Sequence, residues 1–150
     1  MSVELNNIGA FIKPAYSDNV ANTTSNDGSV ITGDAIDRNG FTSGQFVITW
    51  GGSVAQGETL ETSVQISDCD TSDGSYNAVV WLACNELIAT GLVCTGAWAL
   101  NIDLSGYERY IKIGVQMDFS ASSVDTATAC YTLMLGGADS LPADPDILNV

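Results

Sequence analysis

Carboxylates are the commonest reactive groups in this chain. Eighteen Asp and Glu stand against four basic residues, Lys13, Arg38, Arg109 and Lys112, and there is no histidine. Two carboxylates a few ångströms apart suffice for glycoside hydrolysis, one as acid and the other as base or nucleophile. Asp103, Glu108 and Asp118 are the candidates for such a pair. Strand-end and solvent-facing acids are the ordinary alternative on so acidic a surface. The other catalytic signatures are missing from the sequence: no Gly-x-Ser-x-Gly, no Gly-rich loop followed by Lys-Ser/Thr, and no imidazole to serve as base. The expectation is a protein that is not an enzyme.

Asp68, Asp70 and Asp73 bring three hard oxygen donors into one short turn, as a calcium loop would. The spacing fails, because an EF-hand wants its third acid at Ser72 and its closing Glu at Val79. A solvated turn is the expected reading, and no metal or cofactor is expected. Cys69, Cys84, Cys94 and Cys130 lack Cys-x-x-Cys spacing and have no histidine to complete a mixed zinc site. Cys84 and Cys94 could face each other across a hairpin, although four small buried thiols are the simpler expectation. Trp50, Trp81 and Trp98, with Tyr76, Tyr107 and Tyr110, would make a sugar-stacking platform if several were exposed on one face. In a small sandwich such rings more often fill the core.

A net charge of −14 removes whole classes of partner. Phosphate backbones need Lys and Arg to displace their counterions, so nucleic acid is not expected as a partner, nor is an anionic membrane surface. The start of the chain lacks both a basic segment and a long apolar stretch, so no signal peptide is expected. The longest apolar run, residues 78–84, is far short of a bilayer span.

The elements that must position these residues are strands. Apolar residues are 45% of the chain and come in short runs punctuated by Gly, Ser, Asn and Asp, with no sustained helical stripe. Ile111, Ile113, Val115, Met117 and Phe119 alternate with Lys112, Gly114, Gln116 and Asp118. That is the period of a strand with one face in a core. Ala129, Tyr131, Leu133 and Leu135 repeat the device, and the two runs are expected to pair antiparallel across the Ser/Asp-rich bend between them. Residues 45–50 read as a strand. Residues 59–67 place Leu60, Thr62, Val64 and Ile66 inward, residues 77–84 read as an interior strand, and Trp98, Leu100 and Ile102 share a face. About eight antiparallel strands favour an all-β, two-layer, jelly-roll-like sandwich.

The expected organisation is an amino-terminal arm over 1–28, a β-sandwich over 29–137 and an acidic tail over 138–150. Ile8, Phe11, Ile12 and Tyr16 dot the arm with apolar side chains able to dock on another protein. Arg109 and Lys112, half of the chain's cations, sit at the start of one strand, where they can pair with acids of a neighbouring strand or subunit.

The succession Gly33-Asp-Ala-Ile-Asp-Arg-Asn-Gly-Phe41, Gln45-Phe-Val-Ile-Thr, Ser63-Val-Gln-Ile-Ser-Asp68 with Ser72-Asp-Gly, Gly106-Tyr-Glu-Arg-Tyr-Ile-Lys-Ile113 and Leu135-Gly-Gly resembles small virion proteins of tailed bacteriophages, head decoration or cement proteins among them. The pattern runs over about residues 30–137. The four cysteines and the long termini depart from it. The resemblance implies a protein on the outer surface of the virion, bound to the major capsid protein and working as a homotrimer. It implies no catalytic residues. The alternative, from a different class, is a tail or head-fibre module that binds host-surface glycans.

Overall fold

The computed structural model describes residues 12–22, 29–84, 87–90, 93–120 and 126–138. Ten strands are formed among them: β1 (Ile12–Asn22), β2 (Val30–Thr32), β3 (Ile36–Asp37), β4 (Phe41–Ser53), β5 (Thr59–Cys69), β6 (Asn77–Ala83), β7 (Leu87–Ile88), β8 (Val93–Asp103), β9 (Tyr110–Phe119) and β10 (Thr126–Ala138). No helix occurs among the described residues. The strands form two antiparallel sheets. Sheet A runs β1-β10-β4-β8; sheet B runs β2-β9-β5-β6, with β3 also on β9 and β7 also on β5. The all-β sandwich expected from the composition is the observed architecture.

Alternation along each long strand builds the core. The inward residues of β9, Ile111, Ile113, Val115, Met117 and Phe119, are all buried, as are Ala129, Tyr131, Leu133 and Leu135 of β10 and Phe46, Ile48 and Trp50 of β4. Phe46 and Tyr131 stack at 5.5 Å between ring centroids. Each large apolar side chain removed from water in this layer contributes about 1.5–3 kcal/mol. Geometry demands glycine at several positions, Gly40 and Gly96 among them. Gly40, with φ of 81°, closes the turn into β4, where the Asp37 side chain accepts the Asn39 N–H at 2.9 Å. A Cβ on Gly96 would lie 2.6 Å from the Trp50 ring, so β8 can cover that ring only with glycine there.

Three expectations are corrected. β9 and β10 do not pair: β9 lies between β2 or β3 and β5 in sheet B, whereas β10 lies between β1 and β4 in sheet A. Both have one apolar face because both face the same core from opposite sides. Alternation reports which face is buried and says nothing of which strand is the neighbour. β6 is an edge strand rather than an interior one: among the described residues only one side of it has a sheet neighbour, and Trp81, on its outward face, is 48% exposed. Within the expected arm, Ile12–Asn22 forms β1, paired along β10 from Ile12↔Gly136 to Asn22↔Ala127. Backbone pairing, which needs no apolar side chain, makes this polar stretch a strand. The expected acidic tail falls, apart from Ala138 at the end of β10, outside the described residues.

Candidate functional site

The outward positions of sheet A form one surface. Ser43, Gln45, Val47, Thr49 and Gly51 of β4 alternate with buried neighbours, as do Thr128, Cys130, Thr132 and Met134 of β10, and Thr95, Ala97, Ala99 and Asn101 of β8 alternate with buried or half-buried ones. The register sets these residues in rows: Asn101–Gln45–Met134, Ala99–Val47–Thr132, Ala97–Thr49–Cys130 and Thr95–Gly51–Thr128. Across β4, β8 and β10 there is one charged residue, Asp103 at the end of β8. In a chain of net charge −14 this is a segregation of charge. Sheet B carries Glu61 and Asp68 on β5 and Lys112 and Asp118 on β9.

The face is small-residued and shallowly hollowed. One open hollow of about 870 Å³ lies over Gln45, Asn101, Met134 and Gly136, with Asp103 and Ser105 at its rim. A second, of about 610 Å³, lies over Thr49, Gly51, Thr95 and Cys130. The Gln45 amide donates to the Asn101 side-chain oxygen at 3.1 Å across the first hollow. Asp103 accepts from the Ser105 hydroxyl at 2.7 Å and its N–H at 3.0 Å, which holds the carboxyl below its usual range. No tryptophan or tyrosine points outward on β4, β8 or β10. Trp50 is buried, Trp98 is half-buried on the core side of β8, and Trp81 lies on the edge strand of the other sheet. The three tryptophans thus do not assemble into one platform.

Three of the four cations gather at one end of the sandwich, around the connection from β8 to β9. Arg38 donates to the carbonyls of Glu108 at 2.7 Å, Phe41 at 3.2 Å and Tyr107, tying that connection to the turn before β4. Arg109 and Asp37 form a two-pronged ion pair at 3.1 and 2.7 Å, and the carboxylate raises the guanidinium pKa further. The Arg109 guanidinium also lies 5.0 Å from the Tyr110 ring centroid, and the Lys112 ammonium lies 4.3 Å from that of Tyr76. The pairing of Arg109 with an acid of a neighbouring strand is therefore intramolecular, to β3.

The candidate contact residues do not converge. Arg109 and Lys112 belong to sheet B, whereas Ile12 and Tyr16 are on β1 at the far edge of sheet A. Ile8 and Phe11 lie outside the described residues. The acids weighed as a catalytic pair also separate: Asp103 ends β8 in sheet A, and Asp118 is on β9 in sheet B opposite Glu61 of β5. Among the described residues no group of three or more potential ligands could hold a metal ion. No helix there is long and apolar enough to cross a membrane. Cys69 and Cys94 are buried, Cys84 half-buried and Cys130 exposed, all as free thiols; burial pushes the Cys84 thiol up to about 11. Cys84 follows β6 in sheet B and Cys94 is the second residue of β8 in sheet A, so no shared hairpin joins them. The uncharged face was missed from sequence. Its signal was present as runs 41–53 and 126–138 without one acid or base in so acidic a chain.

No family model matches the chain, and no curated protein matches it in sequence. Solved structures match its fold. The VP2 subviral particle of infectious bursal disease virus aligns with a TM-score of 0.53 at 16% identity, over 84% of this chain and 33% of that one. The Gx strain of the same virus gives 0.52 at 15% identity over 88% and 33%, and the Gt strain 0.51 at 14% over 87% and 34%. The chain spans about a third of the length of these counterparts. What is shared is the jelly-roll-like, two-layer β-sandwich.

Proposed function

We propose that this protein is a non-enzymatic decoration, or cement, protein of a tailed-phage head, bound to the outer surface of the major capsid shell and stabilising it. The observation that carries this reading is the charge segregation. A broad, uncharged, small-residued sheet face can lie flat on a protein shell without desolvating a carboxylate, a step that is costly for an unpaired charge. The acidic remainder then faces solvent, as suits a protein on the outside of a DNA-filled particle. The resemblance to small tailed-phage virion proteins and the fold shared with virus-particle chains support the same role.

In this reading Ile12 and Tyr16 belong to β1, which borders the shell-facing strands of sheet A. Arg109 and Lys112 contribute only if they exchange the Asp37 and Tyr76 contacts for acids on a neighbour. The homotrimer implied by the resemblance would need a heterologous contact repeated around a threefold axis.

The test is copy number on purified particles by quantitative mass spectrometry, combined with capsid binding by a Thr49→Glu/Thr132→Glu variant. A fixed large ratio to the major capsid protein, and binding lost by tenfold or more in the variant, are expected. A handful of copies per particle would instead favour the tail or fibre module, which a glycan array then tests. Absence from particles, or unchanged binding by the variant, would overturn the proposal.

A further inference from the structure

Open sheet edges invite pairing with other chains, and proteins ordinarily guard them with charge, proline, irregular register or short length. Three of the four sheet edges formed by the described residues carry such guards. β1 contains Lys13, Pro14 and Asp18, and its register shifts between Pro14 and Tyr16. β6 has seven residues and a register shift opposite Ile66/Ser67. β2 and β3 are three and two residues long. β8 has none of these: its eleven residues pair with β4 from Val93↔Ser53 to Asp103↔Ser43 without a break, contain no proline and carry no charge before Asp103. Among the described residues it ends the sheet, so alternate N–H and C=O groups along it have no strand to meet.

We propose that β8 is a homodimer edge, pairing antiparallel with β8 of a second copy to join two four-stranded sheets into one of eight. The occupant follows from charge. A second copy brings −14, so self-association is tolerated only where acids are kept apart. A full eleven-residue antiparallel register centres on Trp98, sets Ala97 opposite the partner's Ala99, and sends the two Asp103 carboxylates to opposite ends. At about 3.3 Å per residue they stand roughly 33 Å apart, several times the screening length of about 8 Å at physiological salt. A basic partner, by contrast, would find nothing on β8 to attract it except Asp103.

The side chains fit the same occupant. Ala97 and Ala99 are exposed and small, leaving room for close approach, and Val93 is 71% exposed. Trp98 and Leu100 are half-buried on the core side of β8, and pairing would set Trp98 opposite the same residue of the second copy and Leu100 opposite its Gly96. The contact is isologous, so it closes as a dimer, and the uncharged outer face continues across the junction. This inference stands apart from the virion reading and is tested without particles.

The experiment is light scattering on the full-length chain, alongside an Ala97→Asp/Ala99→Asp variant and an Ala97→Lys/Ala99→Lys variant. In the proposed register each variant sets like charges directly opposite one another, and a mixture of the two sets opposite charges there. Wild type should run at twice 15.7 kDa, each variant at 15.7 kDa, and the mixture at the dimer mass again. On wild type, amide exchange over residues 93–103 should slow with rising protein concentration while β10 is unaffected, a readout that needs no variant to fold. A monomeric wild type, a mass that both variants leave unchanged, or concentration-independent exchange in β8 would overturn the proposal.

Discussion

Phe46→Ala should lower stability by about 4 kcal/mol, because β4 uses its two faces for different purposes. Phe46 is fully buried between the sheets and stacks on Tyr131, so truncation removes the transfer free energy of a phenyl ring and leaves a cavity between two layers that cannot collapse onto each other. Such substitutions cost about 3–5 kcal/mol, and the lost ring pair, worth about 0.5–1.5 kcal/mol, places this one in the upper half of that range. For a domain of this size each kcal/mol moves the melting temperature by roughly 2–4 °C, so a fall of about 8–16 °C is expected. Thr49→Ala, three residues along on the outer face, is the control and should stay within about 0.5 kcal/mol of wild type. Urea titration followed by tryptophan fluorescence, with Trp50 reporting from the core, measures both. A cost below about 1 kcal/mol for Phe46→Ala, or a larger one for Thr49→Ala, would refute the assignment of faces.

Arg38→Lys should cost about 2 kcal/mol, since an ammonium cannot reproduce a guanidinium fork that donates to three carbonyls; a urea midpoint equal to wild type would mean that the clamp is idle. Under native conditions at pH 8, an alkylating reagent should modify Cys130 first and Cys84 slowly, because Cys130 is exposed whereas Cys84 stays protonated until about pH 11; peptide mapping that shows Cys84 leading would contradict this. Asp103 has its folded-state pKa depressed by Ser105, so its contribution to stability is present at neutral pH and fades as the pH falls through that lowered value. Urea midpoints of wild type and Asp103→Ala should therefore differ at pH 7 and converge in strong acid, and a gap that widens in acid would reverse the sign.

Much of the sandwich was legible in the sequence because burial on one face of a strand is written in alternation. Ile111 to Phe119, Ala129 to Leu135 and Leu60 to Ile66 each have the same side in the core as their spacing implies. That side is a property of the strand alone, set by the pleat and by which residues avoid water. The absence of helix among the described residues, the wet face of β5 and the turn at Asn39-Gly40 follow from equally local causes.

Partnership between strands is not local, and only the tertiary structure decided it. β9 belongs to sheet B and β10 to sheet A, so two runs that match as hairpin strands face each other across the core. β6 looked interior from its apolar run, yet among the described residues it has a neighbour on one side only, and Trp81 is left half in water. Ile12–Asn22 offers few core residues and is held as a strand by β10. The uncharged surface was written in the composition of 41–53, 93–102 and 126–138, but in three separate pieces. Only pairing β8 and β10 on either side of β4 sets them side by side, because register, a relation between distant segments, turns scattered uncharged residues into one face.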